Sequence, residues 1–151
     1  MKEIKVDWNE LELAFREISG TKNYIDVFTG AIVSVVPGFE DEEEVHQLIN
    51  QNPHRLIEIC PLDANFGRAV LRRFIQQNIA QDLRNELTQA MDGPAGLTYS
   101  MNIIKRDGES LSHYHRFEQE LFWEHVNTFL VDCGILPTNR APQPELFHDV
   151  A

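Results

Sequence analysis

The chain has 151 residues, with 24 acidic and 13 basic side chains and a formal net charge of −11 at pH 7. A chain of this length suits one domain whose core needs neither disulfides nor a metal. Its excess of negative charge argues against nucleic acid and anionic membranes as partners. The two cysteines, Cys60 and Cys133, fit neither a zinc motif nor a disulfide framework. Because a signal-peptide core and a membrane-length apolar run are also absent, we expect a cytoplasmic protein with reduced thiols.

The first predicted helix begins after Asp7, which is a good N-cap residue and has Glu10 three positions later. The apolar face of this helix extends from Trp8 to Ile18 at helical spacing. The pair at 19–20, serine and glycine, is expected to end it.

A β-hairpin is predicted over about residues 22–36, and the other elements are expected to cover it. Two runs rich in β-branched and aromatic residues flank Thr29 and Gly30. Gly30 can adopt the positive φ that a tight turn needs. Because a lone hairpin is marginal in water, amphipathic helices must pack on it. A third strand is predicted over 55–60, which Pro61 ends.

Helical periodicity dominates the rest of the chain. The acidic run at 40–44 suits the first turn of a short surface helix, where carboxylates complement the positive end of the helix dipole. Asp63 is expected to cap the next helix, and apolar residues spaced by four over 79–91 define another. Ser112 is expected to cap the last and longest helix, about 113–133.

These elements predict an α+β fold in which a small antiparallel sheet packs against five or six helices. The sheet has a hairpin and a third strand. A fourth strand stays open at 97–103, because the same residues also fit one face of a helix. The domain is expected to span 1–136, followed by a flexible C-terminal tail at 137–151, where prolines are frequent and apolar residues are few.

A group of histidines and glutamates on the last helix is the first candidate for chemistry: His113, His115, Glu118 and His125. His115 and Glu118 have a spacing that suits a metal on a helix, whereas His113 and His115 diverge by about 200°. His125 shares a helical stripe with Glu118, either as a general base or as a core histidine with a hydrogen-bond partner. The ligand count of a metal site is incomplete, so neither a metal nor a cofactor is predicted.

Three arginines on the helix after Asp63 are the second candidate. Arg68 and Arg72 lie one turn apart on the same side, and Arg73 borders the apolar edge. Such a group can hold a phosphate. The alternative is a solvated helix face whose arginines pair with local acids. A nucleotide-induced rise in melting temperature would favour the first interpretation.

The last helix also carries apolar residues on more than one side, since Trp123 and Leu130 lie off its main apolar stripe. This pattern indicates either deep burial or contact with a partner. In the hairpin, Tyr24 and Phe28 together with Trp8 form either an aromatic partner site or ordinary core packing.

No complete catalytic constellation is present in the sequence. The leading hypothesis is therefore a non-enzymatic domain that binds a protein partner or forms a homo-oligomer. The alternatives are a small-molecule or metal-dependent enzyme that uses the histidine and glutamate group, and a phosphate or nucleotide binder that uses the three arginines.

The hairpin has the pattern Asp26-x-x-Thr29-Gly30-x-Ile32, and the strand after it begins with Arg55-x-Ile57. Together with the order of the helices over about residues 4–135, these motifs resemble the bacterial uncharacterised protein family one-five-eight. The resemblance implies a small cytosolic protein without an assigned activity. The chain departs from the family pattern at 95–101, where the basic residues typical of the family are missing, so any anion site of relatives at this segment is expected to be lost.

Overall fold

The computed structural model describes residues 1–142. Within them, six helices and two small sheets confirm the predicted α+β class. These residues form two compact units, 1–62 with 123–142 (unit 1) and 63–122 (unit 2). The last helix runs through the boundary at 122–123 and contributes residues to both units. The single domain expected over 1–136 stays a prediction.

Unit 1 contains β1 (Lys2–Ile4), α1 (Trp8–Phe15), β2 (Lys22–Asp26), β3 (Ile32–Val35), α2 (Glu42–Gln51), β4 (Leu56–Ile59), the end of α6 (Gly108–Asp132) and β5 (Ile135–Pro137). The helix α1 begins as predicted, because the carboxylate of Asp7 accepts a hydrogen bond from the backbone N–H of Glu10 at 3.1 Å. It ends earlier than predicted, at Phe15, and Ile18 lies beyond it with 98% of its surface exposed.

The predicted hairpin and third strand form an antiparallel sheet in the order β3-β2-β4. The helix α2 covers one face of it, where Val45 and Ile49 pack against a buried cluster of Tyr24, Val35 and Leu56. None of the side chains of α2 is fully buried, as expected for a short acidic surface helix.

A second sheet was not predicted. It pairs β1 with β5 in parallel, in a register that runs from Lys2 opposite Ile135 to Ile4 opposite Pro137. Thr138 then donates its backbone N–H to the carbonyl oxygen of Ile4 at 2.9 Å. The predicted flexible tail, 137–151, therefore begins with residues that are hydrogen-bonded to the start of the chain. Residues 143–151 of that tail lie outside the described residues.

Unit 2 contains α3 (Ala64–Ile75), α4 (Gln81–Asp92), α5 (Gly96–Lys105) and the part of α6 up to Phe122. Its core consists of buried residues from all four helices: Val70, Leu71, Phe74, Leu87, Ile104 and Tyr114. Asp63 caps α3 as predicted, and its carboxylate accepts hydrogen bonds from the backbone N–H groups of Asn65 and Phe66.

In unit 2 the structure decides one open alternative and corrects one boundary. The segment 97–103, which fitted either a strand or a helix, is part of α5, because Leu97, Met101 and Ile104 use their helical spacing to pack on the core of this unit. The helix α6 begins at Gly108 rather than after Ser112. Asp107 precedes it and accepts hydrogen bonds from the backbone and side chain of the serine at 110.

Candidate functional site

Asp26 and Arg55 form a hydrogen-bonded ion pair in unit 1, at the base of the β2–β3 hairpin turn. Asp26 ends β2 and lies opposite Leu56 of β4, so Arg55 comes next to its carboxylate. The Nε of Arg55 donates to both oxygens of Asp26 at 3.0 Å, and its Nη2 lies 2.9 Å from Oδ2. The Asp26 carboxylate is largely buried, whereas the guanidinium is partly exposed. The two groups form a strong, charge-assisted ion pair in which the guanidinium is the member that contacts water.

Asp26 also determines the shape of the turn. Its Oδ1 accepts the backbone N–H of Phe28 at 2.8 Å, and its carbonyl oxygen accepts those of Thr29 at 3.3 Å and Gly30 at 2.7 Å. Gly30 has φ +80°, as predicted for a tight turn. Asp26 therefore accepts three of the hydrogen bonds that hold the backbone of this turn, and the carbonyl oxygen of Arg55 accepts another from Val27 at 2.9 Å.

Phe28 is displayed at this turn with 54% of its surface exposed. Two cations lie close to its ring: the Nζ of Lys2 is 4.8 Å from the ring centroid and the Cζ of Arg55 is 5.0 Å from it. Both distances are within the range of cation–π attraction. We call residues 26–30 with Lys2 and Arg55 the Phe28 tip.

The pair at the base of the Phe28 tip is charged at neutral pH. Burial raises the pKa of Asp26, but the hydrogen bonds from Arg55 and Phe28 and the charge of Arg55 outweigh it and hold that pKa below its ordinary value. The same pair raises the pKa of Arg55. The carboxylate is therefore suited to holding the turn and not to accepting a proton in catalysis.

We expect Asp26→Asn to lower the free energy of unfolding at pH 7 by about 2 kcal/mol, because it weakens hydrogen bonds to a buried, charged acceptor. Since the pKa of Asp26 is lower in the folded state, its contribution is present above the unfolded pKa of about 4 and is lost as the pH falls through the folded value. The difference between the variant and the wild type should thus shrink below about pH 4 in urea titrations.

Asp41→Asn is a matched control for this titration, because Asp41 precedes α2 without a side-chain capping bond and is exposed. We expect a change within about 0.5 kcal/mol at any pH. If the loss in free energy of unfolding of Asp26→Asn stays constant from pH 7 to pH 2, the lowered pKa of Asp26 in the folded state is wrong.

The histidine and glutamate candidates on α6 are not brought to one point. The ring of His113 lies 5.1 Å from that of Phe74 in the core of unit 2, whereas His115 is exposed and tilted against Tyr114. Burial, followed by the charge of Glu118, raises the pKa of Tyr114 to about 12, so its hydroxyl stays neutral at physiological pH.

His125 is exposed and is not the half-buried histidine that the helical stripe predicted. Its ring meets Phe15 edge to face at 5.6 Å in unit 1. Seven residues of α6, or about 10 Å of helix, separate it from Glu118. Over residues 1–142, no three side chains of His, Cys, Asp or Glu are placed to hold a metal ion.

The three arginine candidates are exposed on α3. The Nη1 of Arg68 donates to the side chain of Asn65 at 3.2 Å. Arg72 and Arg73 lie in the last turn of the helix, where cations complement the helix dipole. A phosphate site at these residues stays a prediction.

A groove of ≈460 Å³ in unit 1 is lined by Lys5, Val6, Asp7, Trp8, Asn9, Asn139 and Pro142. Several of its polar groups are already engaged. The side-chain amide of Asn139 accepts the N–H of Val6 at 2.9 Å and donates to its carbonyl oxygen at 2.7 Å. Asp7 caps α1. The other polar lining groups are the side chains of Lys5 and Asn9 and the indole Nε1 of Trp8, which is buried without a hydrogen-bond partner within residues 1–142.

The wide apolar surface of the last helix is explained by burial. Trp123 and Leu130 are buried in unit 1, and the ring of Trp123 meets that of Trp8 edge to face at 5.8 Å. Trp8 and Tyr24 are buried too, so Phe28 is the exposed member of the three predicted aromatic residues.

No family model matches this chain, and no curated protein or solved structure matches it either. The resemblance to uncharacterised protein family one-five-eight stays a prediction from its motifs. In the part of the chain that the structure describes, none of the helices is both long and apolar enough to span a membrane.

The sequence placed Phe28 with Tyr24 and Trp8 in either a partner site or the core, and Asp26 only in the hairpin pattern; the roles of Lys2 and Arg55 were missed. One signal was available for Arg55, since a lone aspartate in a run of β-branched and aromatic residues needs a partner when it is buried. A cation at the start of the next strand is a natural candidate. Lys2 gave no such signal, because it reaches the turn only through the unpredicted β1.

Proposed function

We propose that this chain is a non-enzymatic protein-binding domain and that the Phe28 tip is its contact surface. The observation that supports the proposal is the exposed ring of Phe28, which two cations and a hydrogen-bonded turn hold in place. Phenylalanine and arginine are both enriched at the cores of protein interfaces relative to the rest of the surface.

The energetics favour a partner for this ring. Removing a phenylalanine side chain fully from water contributes about 1.5–3 kcal/mol, and more than half of this surface is still exposed in the free chain. Because the turn is already held by Asp26, little conformational entropy is lost when the ring is buried against another protein. A second copy of the chain is one such protein, so self-association is included in the proposal.

An enzymatic role has less support. Arg55 and the backbone of Phe28 use the carboxylate of Asp26, which leaves no free base at the Phe28 tip. The enzyme and phosphate-binding hypotheses, which use His113, His115, Glu118 and His125 or Arg68, Arg72 and Arg73, stay predictions. A cytoplasmic location in a bacterium stays a prediction as well.

The variant Phe28→Ala tests the proposal. We expect it to melt within about 3 °C of the wild type, because the side chain is largely exposed. Recovery of the interacting protein from cells of the native organism, or self-association in sedimentation, should fall at least about tenfold, which corresponds to about 1.4 kcal/mol.

Ile18→Ala is a matched control, because Ile18 is an apolar residue of unit 1 that is 98% exposed outside the Phe28 tip. It should recover the same protein as the wild type and to the same extent. The proposal is wrong if Phe28→Ala and the wild type are indistinguishable in both recovery and sedimentation.

A further inference from the structure

We infer that the segment bound by the Phe28 tip is acidic as well as apolar, with a carboxylate within about two residues of an apolar side chain that covers the ring. This inference rests on the proposed function and specifies the chemistry of the partner. It depends on the charges of Lys2, Arg55 and Asp26 and on which of their donors remain available.

The Phe28 tip has a positive formal charge, with two cations and one anion, in a chain whose net charge is −11. Asp26 is buried, and its carboxylate is neutralised by the hydrogen-bonded guanidinium of Arg55. A partner therefore does not contact its negative charge. Lys2 is exposed, and its ammonium makes no ion pair with any residue from 1 to 142. The exposed charge beside the ring is therefore that of a cation.

Lys2 and Arg55 both have N–H donors that are available to hydrogen-bond a ligand. An arginine has five N–H donors, and Asp26 uses those at Nε and one at Nη2 of Arg55. The side chain of Arg55 is 42% exposed, and its remaining N–H groups donate to no residue from 1 to 142. A carboxylate next to the ring can accept from Arg55 or Lys2 at about 5 Å from the ring centroid, a distance that one or two residues of an extended peptide span.

The rest of the chain opposes indiscriminate binding of acidic proteins. Because the net charge is strongly negative, an acidic partner is repelled at long range and attracted only where the cations of the Phe28 tip are close. Apolar contact with Phe28 and short-range pairing with Lys2 and Arg55 must therefore occur together. A purely acidic or purely apolar segment fits the Phe28 tip less well than one that combines both.

A displayed library of random twelve-residue peptides tests the inference. The library is selected on the immobilised full chain and depleted on Phe28→Ala, and both proteins are first compared by circular dichroism and thermal melting. We expect the peptides that depend on Phe28 to carry Asp or Glu within two positions of an aromatic or aliphatic residue. Replacing those acids with amides in a synthesised peptide should weaken binding about tenfold.

Lys2→Ala should weaken binding of the same peptide about threefold or more. Lys22→Ala is its control, because Lys22 is an exposed lysine at the other end of β2, about 13 Å from Asp26 along the strand. Peptides that depend on Phe28 but are neutral or basic, or that ignore Lys2→Ala, would overturn the inference and leave the proposed function standing. A selection without any peptide that depends on Phe28 would count against both.

Discussion

Gly30→Ala should lower the free energy of unfolding by about 3 kcal/mol. A Cβ at this position would lie 2.8 Å from Cγ2 of Ile4 and 2.9 Å from the carbonyl oxygen of Lys5. The second of these is a backbone atom, so the first residues of the chain would have to move. Gly30 also has φ +80°, which costs an alanine about 1 kcal/mol by itself. Urea denaturation at neutral pH measures the sum of the two effects.

Gly38→Ala separates these effects. Gly38 has φ +86°, close to that of Gly30, but a Cβ there meets nothing within 4 Å. It should therefore cost only the backbone strain, about 1 kcal/mol. Equal losses in the two variants would mean that the hairpin turn and the segment at 4–5 are not in close contact.

The second large effect is expected for Asn139→Ala, which should cost about 3 kcal/mol. The amide of Asn139 bonds both the N–H and the carbonyl oxygen of Val6, a residue with only 2% of its surface exposed. Alanine removes both partners, and each buried backbone group without a partner costs about 1–3 kcal/mol. The midpoint of urea denaturation should fall without a change in its slope.

Asn9→Ala is the matched control, because Asn9 is an exposed asparagine in the same groove and lies in α1. The free energy of unfolding of Asn9→Ala should stay within about 0.5 kcal/mol of the wild-type value. If Asn139→Ala denatures at the wild-type midpoint, the side-chain amide does not bond Val6 in solution.

The two substitutions affect the same short segment. Gly30 lies against residues 4–5, whereas Asn139 and β5 hold residues 2–6 through hydrogen bonds. Lys2, which reaches the ring of Phe28, belongs to this segment. The position of Lys2 thus depends on contacts with residues far from it in the sequence, and a peptide-binding assay on either variant would detect the loss of those contacts.

Several elements could be predicted because their signals are local. Asp7 and Asp63 cap their helices through backbone groups two or three residues away. Gly30 adopts the positive φ for which glycine is suited. The apolar spacing of the helices is also a local pattern, although it did not decide between strand and helix at 97–103, where packing on the core of unit 2 selects the helix.

The candidate site was predicted only in part. The hairpin was identified, and of the aromatic residues Trp8, Tyr24 and Phe28, predicted as either a partner site or core, Trp8 and Tyr24 are core residues and Phe28 is exposed. On α6, His113 lies against Phe74 in the core of unit 2 and His115 is exposed, in agreement with the divergence of about 200° predicted for residues two apart on a helix.

The α+β class, the hairpin and its turn, and the caps of α1 and α3 follow from the preferences of a few consecutive residues, so they could be read from the chain. Contacts between distant residues settle which of Trp8, Tyr24 and Phe28 stays exposed, which cations reach its ring, and that β1 pairs with β5. Strands of three residues are too short to show the two-residue alternation of a β-strand. Neither strand contains a local signal for pairing with a strand more than 130 residues away.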